Sequence, residues 1–132
     1  MKIIFMGTPR FALPSLEALA SSHHVIKAVV TGENLKRGRG LRVQEPPVKT
    51  LARSLRLPVI QPTSLKSPEF IEEIEALSPD IFVVVAFKIL PKSILEIPEK
   101  GAINIHASIL PKYRGAAPIN WAIINCEKET GI

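Results

Sequence analysis

The chain has 132 residues, enough for one domain with a buried core and too few for two. Hydrophobic residues make up 46% and charged residues 22%, the proportions of a globular protein and not of a disordered one. No apolar run approaches the roughly 20 residues of a membrane span, Gly7-Thr8-Pro9-Arg10 cuts short any signal peptide, and the single Cys126 forms no internal disulfide, so a cytoplasmic protein with no membrane partner is expected.

Residues 2–6 read as a buried strand, and Gly7-Thr8-Pro9-Arg10 as the turn that follows. Pro14 suits the first turn of a helix with Leu13, Leu16, Ala18, Leu19 and Ala20 as its apolar stripe. Residues 25–30, rich in β-branched side chains, form the next strand. His23 and His24 just before it show no partner spacing and read as surface or strand-entry residues.

The net charge of +5 is unevenly placed. Lys36, Arg37, Arg39, Arg42 and Lys49 face only Glu33 and Glu45 in a segment carrying Gly32, Gly38, Gly40, Pro46 and Pro47. That composition predicts a loop. A flexible basic loop suits a phosphate-rich partner, because neutralised phosphates release counterions; a solvated surface loop has the same composition.

Residues 48–55 follow as a short helix with Val48, Leu51, Ala52 and Leu55 on one face, and residues 58–62 as a brief extended piece. Ser67-Pro68-Glu69 combines an N-cap, a proline at the first helical position and an acidic first turn, and the helix runs until Ser78-Pro79. Residues 81–85 are continuously apolar, as in a central parallel strand covered on both faces. A short helix over 92–96, a strand over 102–106 and a helix over about 118–125 complete the pattern, with Cys126 read as a small buried hydrophobe of that last helix.

This alternation predicts an α/β fold: a Rossmann-like, mainly parallel sheet with helices on both faces and right-handed crossovers. Such sheets bind ligands beyond the carboxyl ends of their strands, here the segments after Met6, Val85 and His106. A dinucleotide is excluded, since the first turn has one glycine where the fingerprint needs three. Three scattered histidines and one cysteine make no metal site.

The sharpest chemical signal is Asn104-Ile105-His106. Alternate side chains share a face of a strand, so Asn104 and His106 project together while Ile103 and Ile105 pack the other way. An amide N–H stabilises a developing oxyanion, and an imidazole moves protons near neutral pH. Together they suit acyl-type transfer; a satisfied polar pair at a strand end is the plain structural alternative.

The motifs Gly7-Thr8-Pro9-Arg10-Phe11-Ala12 and Ala102-Ile103-Asn104-Ile105-His106-Ala107-Ser108-Ile109-Leu110-Pro111-Lys112-Tyr113-Arg114-Gly115-Ala116-Ala117-Pro118-Ile119 resemble the folate-dependent formyltransferases. The Gly7-Thr8-Pro9 opening, the Gly38-Arg39-Gly40 loop before Pro47-Val48-Lys49, and Gly115-Ala116-Ala117-Pro118-Ile119 resemble in particular the methionyl-tRNA formyltransferases. The resemblance implies formyl transfer from 10-formyltetrahydrofolate to the α-amine of initiator methionyl-tRNA. It implies Asn104 and His106 as catalytic residues. Ser108, Ile109, Leu110 and Pro111 would line the folate pocket with Phe87 and Lys88, and Lys36, Arg37, Arg39 and Arg42 would approach tRNA phosphates.

This sequence departs from the family at three internal places. Lys88 follows Phe87 with no intervening glycine, Gly32-Glu33-Asn34-Leu35-Lys36 replaces a Pro-Asp-x-Pro run, and Arg10 stands where an acidic residue is common. The family's third catalytic residue, an aspartate, and its C-terminal tRNA-binding domain fall beyond Ile132. Residues 1–132 are therefore expected to be an incomplete catalytic domain, inactive alone and prone to self-association. A formyltransferase for a sugar-nucleotide or glycinamide ribonucleotide amine, and a non-catalytic folate- or RNA-binding remnant, are the alternatives.

Overall fold

The computed structural model describes residues 1–37 and 42–132. Five strands form one parallel sheet: β1 (Lys2–Gly7), β2 (Val25–Val30), β5 (Val59–Ile60), β6 (Ile81–Val85) and β7 (Ala102–Ile105), in the spatial order β5-β2-β1-β6-β7. The helices between them are α1 (Leu13–Ala20), α2 (Pro47–Ser54), α3 (Pro68–Ala76) and α4 (Lys92–Leu95), and α5 (Pro118–Ile124) follows β7. The predicted parallel α/β architecture is the one observed. Among the described residues, no helix is long and apolar enough to cross a membrane.

Strand alternation divides the core into two layers. Ile3 and Phe5 of β1 with Val83 and Val85 of β6 face Ala12, Leu16, Val48 and Ala52. Ile4 and Met6 with Phe82 and Val84 face Phe70, Ile74 and Ile94. Each central strand is thus buried on both sides, which explains its unbroken apolar run. The helices behave as their sequences predict. Proline occupies the first turn of α1, α2 and α3, and the Ser67 hydroxyl caps α3 by accepting from the Phe70 N–H at 3.3 Å.

The strand order reverses between β1 and β6, so the crevice beyond the carboxyl ends of those two strands is where an open sheet of this kind places its ligand. Gly7 and Val85 are register partners there. An added Cβ at Gly7 would lie 2.9 Å from the Ala12 Cβ and 3.0 Å from the Val85 carbonyl oxygen. Glycine at this position serves close packing of strand, turn and neighbouring strand.

Three expectations need correction. The basic segment is not wholly loop: β3 (Leu35–Arg37) and β4 (Arg42–Gln44) pair as a short antiparallel hairpin. Three-residue strands are too short to show a period. Cys126 is exposed and lies beyond α5, with φ 50°, because the helix closes at Asn125. Ile103 does not pack: it is 53% exposed, since β7 is an edge strand and no described element covers that end of the face. Ile105 does pack against the α1–α2 core layer.

Candidate active site

β7 pairs with β6 so that Asn104 stands beside Val84 and Ile105 beside Val85. Strand alternation therefore puts Asn104 on the sheet face that carries α3 and α4. Phe87, in the turn after β6, packs against that same layer, so the two segments predicted to meet at the site share one side of the sheet. Asn104 is exposed and His106, just past the strand end, is half-buried. Ala86 bends the chain away from β6 with a left-handed φ of 48°, and leaves Lys88 exposed to solvent.

Among the described residues, the His106 ring has one hydrogen-bond partner. Its Nε2 lies 3.0 Å from the Tyr113 carbonyl oxygen. A carbonyl only accepts, so Nε2 carries the proton and Nδ1 holds the free lone pair in the neutral ring. Tyr113 reaches this position with φ 53°, a left-handed conformation that costs a bulky residue about 1–2 kcal/mol.

The turn between them is built around Ser108, which is 1% exposed. Its hydroxyl donates to the Lys112 carbonyl at 2.7 Å, and its N–H donates to the His106 carbonyl at 2.9 Å. Ser108 is thus a structural tie of the turn, its hydroxyl already engaged. Ile109 and Leu110 project instead, 53% and 54% exposed, and Pro111 follows a cis Leu110–Pro111 bond. Ile109 and Leu110 both lie in the segment after the carboxyl end of β7, and Phe87 is half-buried in the turn after β6.

Glu127 was not singled out from sequence. It accepts a hydrogen bond from the Tyr113 hydroxyl at 2.6 Å, and the Lys112 ammonium lies 3.3 Å away. The tyrosine hydroxyl, then Lys112, hold the Glu127 carboxyl below its ordinary range, and Glu127 in turn raises the Tyr113 phenol. Residues fourteen positions apart leave no local signal for such a pair.

The base of the basic hairpin is well tied. The Gln61 amide donates to the Gly32 carbonyl at 2.6 Å and to Asn34 Oδ1 at 3.1 Å. Lys49, counted among the free charges of that segment, has a side chain only 12% exposed and pairs with Glu45 at 2.9 Å. Hydrogen bonding from Lys49 comes first, with Arg53 adding to it, in lowering the Glu45 carboxyl. Arg39 lies outside the described residues, and Lys36, Arg37 and Arg42 are placed by their backbone in the hairpin. His23 and His24 lie with ring centroids 4.0 Å apart and planes tilted by 59°, just before β2 at the opposite end of the sheet from this chemistry. Among the described residues there is no cluster fit to hold a metal ion.

The sequence pattern of the formyl transferase family matches residues 1–132. The chain belongs to that family. Its curated relatives include methionyl-tRNA formyltransferases of Desulforamulus reducens and of Caldanaerobacter subterraneus subsp. tengcongensis, each 58% identical across 100% of this chain. The chain spans 42% and 43% of the length of those two relatives. Among solved structures, phosphoribosylglycinamide formyltransferase from Bacillus halodurans superposes with a TM-score of 0.74 at 16% identity, covering 98% of this chain and 68% of that one. Glycinamide ribonucleotide transformylase 1 from Symbiobacterium toebii superposes at 0.73 and 16%, over 99% of this chain and 63% of its own. At such identities the superpositions establish the formyltransferase fold and nothing narrower.

Proposed function

We propose that residues 1–132 carry the reaction centre of a methionyl-tRNA formyltransferase, which formylates the α-amine of initiator methionyl-tRNA in the cytoplasm at the start of translation. The observation that carries the proposal is the joint placement of Asn104 and His106 at the carboxyl end of β7. His106 is held there by Tyr113 in the tautomer that leaves Nδ1 free. The 58% identity to enzymes of that name points to the acceptor.

The donor proposed is 10-formyltetrahydrofolate, which supplies the formyl carbon when bound. The residues fit such a group: Phe87, Ile109, Leu110 and Pro111 offer apolar walls, with Lys88 exposed beside them for its carboxylates. Ser108 contributes by shaping the turn.

In the proposed reaction the incoming amine attacks the formyl carbon, and the carbonyl oxygen gains negative charge. The Asn104 amide N–H donates to that oxygen. His106 accepts the amine proton at Nδ1 while its Nε2–H stays on the Tyr113 carbonyl, and it returns that proton to the donor nitrogen as the bond between that nitrogen and the formyl carbon breaks. No metal takes part in this scheme. The basic hairpin would meet the acceptor arm, with Arg39 and Arg42 the foremost phosphate contacts and Lys36 and Arg37 in support.

The acceptor is tested with a chimaera in which this chain replaces the matching part of the Desulforamulus reducens relative. Formylation of methionyl-initiator tRNA, with glycinamide ribonucleotide and amino-sugar nucleotides left unformylated, is the expected result. Turnover of either small amine with none of the tRNA would move the assignment to a small-molecule formyltransferase. Binding of folate or tRNA with no transfer to any amine would favour the non-catalytic reading.

A further inference from the structure

Outside Asn104 and His106, the polar contacts nearest the site form a short relay. His106 is tied to the backbone of Tyr113, the side chain of Tyr113 is tied to Glu127, and Glu127 is tied to Lys112, whose carbonyl accepts from Ser108. Each link stays within residues 106–127, between the end of β7 and the turn that follows α5.

The relay has a reason to exist. Tyr113 holds φ 53°, and a non-glycine residue in that region needs its surroundings to keep it there. In that conformation its carbonyl lies 3.0 Å from His106 Nε2. The Tyr113 hydroxyl donates to Glu127 at 2.6 Å, with the Asn125 side chain as a second hydrogen-bonding neighbour. Glu127 is itself fixed, because its N–H donates to the Ala122 carbonyl of α5 at 2.9 Å and Ala122 is buried.

We propose that Glu127 is a positioning residue for His106, acting through the Tyr113 hydroxyl to hold the Tyr113 carbonyl on Nε2. This rests on the catalytic reading of His106 for its purpose, while the geometry it asserts stands apart from that reading. At 2.6 Å this is a short O–H···O contact, and an acceptor oxygen at this position ties the side chain of the left-handed tyrosine to the turn after α5. Glu127 touches neither substrate nor His106 directly.

The test reads the imidazole itself. Nitrogen-15 spectra of this chain should show neutral His106 in a single tautomer with Nε2 protonated, and His23 and His24 serve as internal references. Tyr113→Phe removes the hydroxyl but keeps the Glu127 charge. Glu127→Gln removes the charge but keeps an acceptor oxygen, and Glu127→Ala removes both.

The expected result is that Tyr113→Phe and Glu127→Ala raise the share of the minor tautomer about threefold to tenfold, as loss of one hydrogen bond implies. Glu127→Gln should restore most of the parent spectrum. Unchanged His106 nitrogen shifts in Tyr113→Phe would overturn the proposal. So would a Glu127→Gln spectrum as altered as that of Glu127→Ala, since the effect would then be one of charge alone. In the chimaera, the same variants should lower kcat about tenfold with KM little changed. Altered tautomers with unaltered kcat would leave the relay intact and remove His106 from the catalytic reading instead.

Discussion

Replacing Gly7 with alanine would put a methyl group where β1, its turn and β6 come closest. The new Cβ would lie 2.9 Å from Ala12 Cβ, 3.0 Å from Phe5 Cε1 and 3.0 Å from the Val85 carbonyl oxygen. Comfortable carbon contacts lie at about 3.5–4.0 Å, so Ala12 must retreat by about half an ångström and the other two neighbours by a few tenths. Ala12, Phe5 and Val85 are all fully buried, and the contact at Val85 is backbone in the sheet. No rotamer change relieves the clash, and a cost of about 1–3 kcal/mol follows for an overpacked core. For a chain of this size that is a fall in Tm of about 3–15 °C. The companion variant is Gly101→Ala, at φ +69° with nothing within 4 Å of its Cβ; it isolates the backbone effect of about 1–2 kcal/mol. Thermal unfolding followed by circular dichroism decides the matter. A Gly7→Ala protein melting within about 1 °C of the parent would refute the packing argument. Because Gly7 and Val85 are register partners at the switch of strand order, the same variant should disturb the Ala86-Phe87 turn, visible as shifted Phe87 ring resonances.

Thr31 is fully buried and its hydroxyl has no partner among the described residues, so Thr31→Val should raise stability by about 1 kcal/mol; a lower midpoint in urea would show that the hydroxyl has a role after all. Glu45 and Glu127 both have folded pKa values below the ordinary carboxylate value of 4.5. Their contribution is therefore complete above that value and lost as pH falls through the lower folded values. Glu45→Gln together with Glu127→Gln should flatten the fall of Tm between about pH 5 and pH 3, and an unchanged slope would contradict these pairings. Trp121, Ile123 and Ile124 of α5 are 52%, 70% and 64% exposed, apolar surface that should bind the dye ANS in the folded chain. Ile123→Lys with Ile124→Lys should abolish most of that fluorescence; undiminished signal would place the dye elsewhere.

The parallel sheet was legible because each central strand is buried on both faces, and Ile81 to Val85 can be nothing else at that length. The helices were legible from Pro14, Pro47 and the Ser67-Pro68-Glu69 cap. The hairpin of β3 and β4 was not, since Leu35–Arg37 and Arg42–Gln44 are too short to display alternation and sit among glycines and charges. Cys126 was misplaced because no glycine marks the end of α5, although the chain turns left-handed there as it would at a glycine. That Asn104 and His106 share a strand face could be read from two-residue spacing, and that β7 lies next to β6 places them on the side of the sheet that carries Phe87. What holds His106 could not. It depends on the φ of Tyr113 and on a carboxylate beyond the next helix, and neither leaves a pattern in the residues between them.

The most direct test of the reaction centre is single-turnover formyl transfer to methionyl-initiator tRNA in the chimaera described above, with Asn104→Ala and His106→Ala measured beside it. Losses of about a hundredfold or more in the chemical step for each variant, with tRNA and folate binding retained, are expected for an oxyanion donor and a proton carrier. Transfer at the parent rate by either variant would contradict the assignment of that residue to the chemistry.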